Sequence, residues 1–250
     1  MPTDAYSQSI QSLSELGPLR VWSLLVTVFG DLAPDRPLDG PTLSAIMSEI
    51  GVKPEATRVA LHRLRSDGWV SSMKKGRTSL HQLTDKGSTD SDAARARIYG
   101  TPDQMGQDAR VFLLPSASDL DSASFAQVAA RVYVCGADTQ VPDSAMQLTP
   151  HHLPDWLGEQ IETEAMRDAY KSLHAVLTDI SEELQGDLTP LQTATLRTMI
   201  VHAWRRLTLK HPDLPRAAHS ADWRGHDCRA LVTTLLARFP RPDLETIKAT

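Results

Sequence analysis

The stretch KPEATRVALHRLRSDGWVSSMKKGRTSLHQLT, residues 53–84, decides the fold that the sequence predicts. A helix can begin at Pro54 without loss, because the first helical N–H has no partner within a helix in any case. One buried helix face follows, with apolar or small residues at Thr57, Ala60, Leu61 and Leu64. The helix is predicted to end at Asp67-Gly68, since glycine readily adopts the left-handed conformation that closes a helix.

Two short β-compatible runs, residues 69–73 and 78–83, follow this helix. Between them, Lys74-Lys75-Gly76-Arg77 supplies a glycine for a turn and three positive charges at its tip. A helix followed by a basic hairpin is the layout of a winged helix-turn-helix. Upstream, residues 19–32 predict a central buried helix, and residues 43–50 predict an amphipathic helix that ends before the tight turn into Pro54.

The same stretch is locally basic in an acidic protein. Residues 53–77 contain seven Lys or Arg and two acids, a local charge of +5, whereas the whole chain carries −5. Such a patch is typical of a surface that binds a polyanion, because each phosphate neutralised by Lys or Arg releases counterions. The alternative is a solvated helix face beside a solvated hairpin. Charge, helix period and turn glycine agree on double-stranded DNA as the partner.

Roles within the DNA-binding set follow from position, because the N-terminal half of the second helix of a helix-turn-helix meets base edges. Arg58, His62 and the residues at 53–55 are therefore the candidates for reading bases, and Arg63 and Arg65 are candidates for phosphate contacts or structural pairs. At the hairpin tip we expect phosphate contacts from the lysines and a minor-groove contact from Arg77. The predicted DNA-binding residues are Lys53, Arg58, His62, Arg63, Arg65, Lys74, Lys75 and Arg77.

Length and composition are those of a globular protein of two or three small domains, with 250 residues of which 41% are hydrophobic and 23% charged. No apolar run is long enough to span a membrane and the N-terminus lacks the pattern of an export signal, so we expect a cytoplasmic protein. Cys135 and Cys228 lie far apart and are expected to be ordinary buried side chains. The polar residues 1–18 are expected to be flexible.

Residues 100–150 predict a small α+β middle module. Residues 109–114 and 131–135 favour strands, residues 120–130 favour a helix between them, and residues 146–148 are compatible with a third strand. From residue 151 to 250 the periodicity predicts helices, the last of them capped by Asp222.

Two blocks of sequence resemble the phenylacetic-acid-degradation repressor (PaaX-like) family. The N-terminal block comprises FGDL at 29–32, residues 58–64 with Gly68-Trp69, GRTS at 76–79 and LTDKG at 83–87. The C-terminal block comprises Leu196-Arg197, residues 201–206, residues 212–215, Asp222-Trp223, Gly225 and Arg229. The resemblance implies a homodimeric transcriptional repressor that binds an operator and is released by a small effector, in the best-known members an aryl-CoA thioester. It also implies a ferredoxin-like middle module.

The fold class expected overall is mainly α with α+β parts. The predicted domains are a winged helix-turn-helix at 19–99, the ferredoxin-like module at 100–150 and a helical dimerisation and effector domain at 151–250. A basic and aromatic cluster in the last domain suits a ligand with phosphates and an aromatic ring; the alternative is that its arginines form structural salt bridges. The candidate effector-binding residues are Arg197, Trp204, Arg205, Arg206, Trp223 and Arg229.

An enzyme is not expected, because the sequence has no nucleophile elbow, phosphate-binding glycine loop or dinucleotide fingerprint. No cofactor or metal is expected either. The histidines, including the adjacent His151-His152, lack metal-ligand spacing. The rival to a regulator is a protein-interaction or scaffold protein that uses its winged helix for protein contact and has no operator.

Overall fold

The computed structural model describes residues 2–102, 106, 108–150 and 153–247, with side chains from residue 5 onward. Its helices are α1 Pro2–Glu15, α2 Val21–Leu32, α3 Gly40–Glu49, α4 Pro54–Ser66, α5 Asp85–Tyr99, α6 Asp155–Ile161, α7 Glu164–Glu183, α8 Pro190–Thr208 and α9 Gly225–Arg238. Its strands are β1 Leu38–Asp39, β2 Val70–Lys75, β3 Thr78–Leu83, β4 Ala109–Leu113, β5 Ala126–Ala129, β6 Val132–Gly136 and β7 Met146–Leu148. The prediction of a mainly helical protein with small antiparallel sheets is confirmed.

The basic stretch forms helix α4 and the β2–β3 hairpin, close to the predicted bounds. Helix α3 precedes α4 across a turn in which Gly51 has a φ of +86°. Asp39 caps α3 by accepting a hydrogen bond from the Thr42 backbone N–H at 2.7 Å. Strand β3 pairs with β2 on one side and with the two-residue strand β1 on the other, all antiparallel. The result is a helix, a turn, a second helix and a hairpin packed together.

Helix α4 ends in the hydrogen-bond pattern of a Schellman motif. The Trp69 N–H donates to the Leu64 carbonyl at 2.8 Å, and the Gly68 N–H donates to the Arg65 carbonyl at 3.0 Å. Gly68 has a φ of +70°, which a residue with a Cβ adopts only at a cost. This motif turns the chain sharply from α4 into β2, so the hairpin begins directly beside the helix.

Residues 2–15 are a helix docked on the core, and the expected flexible N-terminus at 1–18 is wrong for this part of the chain. Tyr6, Ile10 and Leu13 of α1 are buried, and α1 packs on α7 and α8. The spacings of four and three place these three side chains on one helix face. Polar residues between them conceal this face in the sequence.

One continuous apolar core joins the first hundred residues to the last eighty. It contains Leu24, Leu25 and Phe29 of α2 together with Met199 and Ile200 of α8. Helix α8 contacts α1, α2, α3, α5, α7 and α9, so it lies at the centre of the molecule. The segments 19–99 and 151–250, which the sequence places in separate domains, therefore share a core.

The middle module is an antiparallel sheet with strand order β5-β6-β4-β7. The prediction of a helix at 120–130 is wrong, because residues 126–129 form β5, where Ala126 and Val128 face inward and alternate with exposed neighbours. One face of the sheet packs on Leu157 of α6 and on Leu214 and Ala218. The ferredoxin-like arrangement that was expected to include that helix is not confirmed.

The last long helix begins three residues later than expected. Its N-cap residue is Arg224 rather than Asp222, whose carboxylate instead accepts a hydrogen bond from the Ser220 hydroxyl at 2.9 Å. Both cysteines are buried and unpaired, as expected. No helix within the described ranges is long and apolar enough to cross a membrane.

Candidate nucleic-acid interface

The eight predicted DNA-binding residues are all exposed. Four of them, Arg58, His62, Arg63 and Arg65, lie on the outward side of α4, because Thr57, Ala60 and Leu64 turn the other side into the core. Lys53 stands at the N-cap of α4, and Lys74, Lys75 and Arg77 lie at the end of the hairpin. Helix α4 packs on β2, so the two basic elements adjoin each other.

The hairpin tip is a two-residue connection. Lys75 pairs with Thr78, which leaves Gly76 and Arg77 as the loop. Gly76 has a φ of +62°, the value that the first central position of a type II′ turn requires. The turn therefore projects Arg77 away from the sheet at the point farthest from the core.

Most of these cations have no internal counter-ion. In the part of the chain that the structure describes, no carboxylate lies within ion-pairing distance of Lys53, Arg65, Lys74, Lys75 or Arg77. The two ion pairs on α4, Arg58 with Glu55 and Arg63 with Asp67, are exposed and long, at 3.7 Å each. Exposed pairs of this kind contribute little, so these arginines can exchange their partners for phosphates or bases.

His81 supports the hairpin from its inner side. Its side chain is buried, and its Nδ1 lies 2.6 Å from the Ser72 hydroxyl of the neighbouring strand. Burial, together with the positive charge of Arg65, lowers the pKa of His81. A neutral imidazole at this place holds β2 and β3 together without adding charge to the basic surface.

The candidate effector-binding residues hold the fold together in this structure. Arg197 forms a buried bidentate pair with Asp31 and donates to the Leu236 and Phe239 carbonyls at 3.0 and 2.9 Å. Trp204 donates its indole N–H to the Ile98 carbonyl at 2.9 Å. These contacts join α8 to α2, α5 and α9, and they leave no free donor on Arg197 facing a cavity.

The other members of that set are also engaged internally. Arg229 pairs with Asp213 at 2.7 Å, and its guanidinium lies 5.3 Å from the centre of a Trp204 ring. Trp223 is buried, with its ring stacked on His219 at 4.6 Å. Arg205 and Arg206 donate to the backbone carbonyls of Ser23 and Leu16. The alternative interpretation, in which these arginines are structural, therefore fits the observed contacts.

Arg205 and Arg206 do, however, line an open cleft of about 350 Å³ between the α1–α2 connection and the end of α8. Its lining is Pro18, Arg20, Trp22, Ser23, His202, Arg205, Arg206, Leu209 and Lys210. Four of these residues are cations and none is an acid. Sequence reasoning missed Arg20 and Trp22, which lie at the start of α2 and carry no motif.

The cleft adjoins the basic surface through one contact. Trp22 is 37% exposed, and the Arg63 guanidinium of α4 lies 5.8 Å from the centre of its ring, within the range of a cation–π interaction. A larger cavity of about 580 Å³ beside α6 and α7 is lined by five carboxylates and by Arg167 and Lys171. Its negative charge makes the cleft at Trp22 the better place for an anion.

Metal binding has no support in the described residues, where no three His, Cys, Asp or Glu side chains come together in a group that could hold an ion. His151 and His152, the adjacent pair noted in the sequence, lie outside the described residues.

Comparison with known proteins places this geometry in a family. Residues 20–87 match the model of the PaaX-like protein, and residues 161–246 match the PaaX-like protein C-terminal domain. Together the two matches cover more than half of the chain. The chain belongs to the PaaX-like family, as its motifs indicate.

Two relatives extend this result. The chain is 24% identical over 264 residues to the transcriptional repressor PaaX of Escherichia coli (strain K12), a match that covers 92% of this chain and 83% of that protein. The solved structure of the uncharacterized protein Rv0674 from Mycobacterium tuberculosis superposes with a TM-score of 0.54 at 16% identity, covering 87% of this chain and 94% of that one. The first relative agrees with the expectation of a regulator rather than an enzyme, and the second shows the fold alone.

Proposed function

We propose that this protein is a DNA-binding transcriptional repressor in which α3, α4 and the β2–β3 hairpin act as a winged helix-turn-helix. The observation that carries the proposal is the set of eight exposed basic residues on α4 and the adjoining hairpin, most of them without an internal counter-ion. An unneutralised basic surface of this kind is a site for phosphates. The similarity to a protein named as a transcriptional repressor supports the same function.

In this proposal α4 lies in the major groove and the hairpin lies against the flanking backbone. Arg58, His62 and the N-terminal turn of α4 face base edges. Lys74 and Lys75 contact phosphates, and Arg77 enters the minor groove. Arg63 and Arg65 contact phosphates from the sides of α4.

A binding selection from random duplexes tests the proposal. The full-length protein should enrich a defined sequence with two half-sites about one helical turn or a multiple apart. Binding to that sequence should weaken steeply as salt rises. No measurable affinity for any duplex at any salt concentration would contradict the proposal and favour the rival, a winged helix used for protein contact.

We propose further that the protein acts as a homodimer, because a single winged helix reads few base pairs and two half-sites require two copies. Light scattering at micromolar concentration, on the free protein and on its complex with the selected duplex, tests this component. A monomer in both samples would contradict it without affecting the assignment of the DNA-binding surface.

A small anionic effector that releases the repressor completes the proposal, with an aryl-CoA thioester and an aromatic catabolic operon as the expectation drawn from the family resemblance. The cationic cleft beside Trp22 supports a site for it, since four cations and an exposed indole suit phosphates and a planar ring. Titration calorimetry with phenylacetyl-CoA should give binding that Lys210→Ala weakens. Lys171→Ala, in the acidic cavity, is the matched control, and equal loss in both variants would place the effector elsewhere.

A further inference from the structure

Val59 is an apolar side chain set in the middle of the basic surface. It is 71% exposed, the highest value among the large apolar side chains of the described residues. Ala60, the next residue, is buried, and the helical period therefore turns Val59 outward. The side chain contributes nothing to the core.

The surroundings of Val59 are polar on every side along the helix. Its neighbours one turn away are Glu55, His62 and Arg63, and all three are exposed. A β-branched residue also has a lower helix propensity than alanine, because it loses side-chain freedom against the preceding turn. Neither burial nor helix stability therefore accounts for valine at this position.

We propose that Val59 is a base-reading residue that packs against the C5 methyl group of a thymine in the major groove. The thymine methyl is the apolar group that base pairs present in that groove, and apolar side chains are its usual partners. Arg58 and Arg63 flank Val59 on the helix and are exposed, so they can reach the backbone while Val59 faces the bases. The inference rests on the proposed DNA-binding function and adds a specificity determinant to it.

The thymine methyl can be removed without changing base pairing, which makes the test direct. The binding selection is run in parallel with a duplex library that contains thymine and with one in which deoxyuridine replaces it. The wild-type protein should prefer T·A at one position of each half-site in the first library and lose that preference in the second. Removal of one methyl group that becomes buried on binding should weaken binding about fourfold per half-site.

Three variants assign the effect to Val59. Val59→Ala should bind both libraries with the same base preferences, and Val59→Ile, which keeps an apolar contact, should retain the preference for thymine over uracil. Met146→Ala removes another exposed apolar side chain, from β7, and should behave as the wild type. Alanine is the better helix former, so an unfolded α4 would not explain the behaviour of Val59→Ala; circular dichroism verifies this.

The outcomes separate this inference from the function on which it depends. Sequence-specific, salt-dependent binding with identical preferences in the two libraries would overturn the role of Val59 and leave the repressor proposal standing. A methyl-dependent position that persists in Val59→Ala would assign it to another residue and would also overturn the inference. Failure to bind either library would contradict the DNA-binding proposal itself.

Discussion

Asp31 of α2 and Arg197 of α8, 166 residues apart in sequence, form a bidentate ion pair in the interior of the protein. The Arg197 Nε lies 2.7 Å from Oδ2 of Asp31, and Nη2 lies 3.1 Å from Oδ1. The Tyr99 hydroxyl donates to the same carboxylate at 2.9 Å. This contact joins the helix that supports α4 to the central helix of the C-terminal half.

Replacing Arg197 should therefore destabilise the whole protein. Arg197→Ala leaves the Asp31 carboxylate buried without its main partner, and breaking a buried pair in this way costs about 3–5 kcal/mol. Urea denaturation measures the change in the free energy of unfolding. The control is Arg224→Ala, whose pair with Asp227 is partly exposed and should be worth about 1 kcal/mol or less. Similar losses in the two variants would contradict the structural role of the buried pair.

Stability should fall in acid because of His202. Burial, with the nearby charges of Arg205 and Arg206, lowers the pKa of His202 to about 4 in the folded protein. Its ordinary pKa is about 6.5, so between these values the unfolded chain binds a proton that the folded protein does not. The free energy of unfolding should therefore be unaffected by His202 above about pH 6.5 and decrease by up to about 1.4 kcal/mol per pH unit below it.

Denaturation curves at several pH values between about 4 and 7 measure this dependence. Burial also lowers the pKa of His226 to about 4, so the two histidines add to the slope. His202→Gln should remove the part that belongs to His202. A variant with the wild-type slope over this range would show that the group titrates normally.

Arg58 should determine base preference at one position of each half-site. It is exposed in the first half of α4, and its long pair with Glu55 holds it only weakly. Arg58→Ala should cost about 1–3 kcal/mol of binding free energy and relax the preference at that position. A selection with the variant measures the change, and an unaltered preference would remove Arg58 from the reading set.

Arg77 should affect the flanks of the operator rather than its centre. A narrow A·T-rich minor groove attracts arginine through its enhanced negative potential. Arg77→Ala should therefore weaken binding more on A·T-rich than on G·C-rich flanks, and Arg77→Lys should restore the salt dependence but not the flank preference. Titration against duplexes that differ only in their flanks distinguishes the variants. Equal losses on both flanks would place Arg77 on phosphates.

Local signals made α4 and its hairpin predictable, whereas long-range partners did not. Pro54, Gly68 and Gly76 each mark a boundary by a conformation that few other residues adopt. The pairing of Arg197 with Asp31 has no such signal, because a single sequence does not show which carboxylate, far along the chain, will lie beside a given arginine. Arg197 therefore looked like a ligand for an anion.

The errors in secondary structure have similar causes. In α1 the apolar positions Tyr6, Ile10 and Leu13 have helical spacing but are separated by polar residues that resemble a flexible tail. In β5 the short run from Ala126 to Ala129 contains two alanines, which favour helix, and its extended form is set by pairing with β6. Val59 could have been found from the sequence, as an apolar residue outside the buried helix face.

The salt dependence of the hairpin lysines tests most directly whether the surface of α4 and the hairpin binds DNA. The measurement is the slope of log affinity against log salt concentration on the selected duplex. It compares the wild type, the double variant Lys74→Ala/Lys75→Ala, and the control Lys171→Ala/Arg224→Ala, which removes the same charge from the C-terminal half. Both control residues are exposed in the structure.

We predict that the hairpin variant binds every duplex more weakly and that the magnitude of its slope falls by about 0.9 for each phosphate that no longer has a lysine beside it, while the control keeps the wild-type slope. A hairpin variant with wild-type affinity and slope would show that the hairpin does not contact DNA. Equal changes in the hairpin variant and the control would show that net charge alone, rather than this surface, governs the binding.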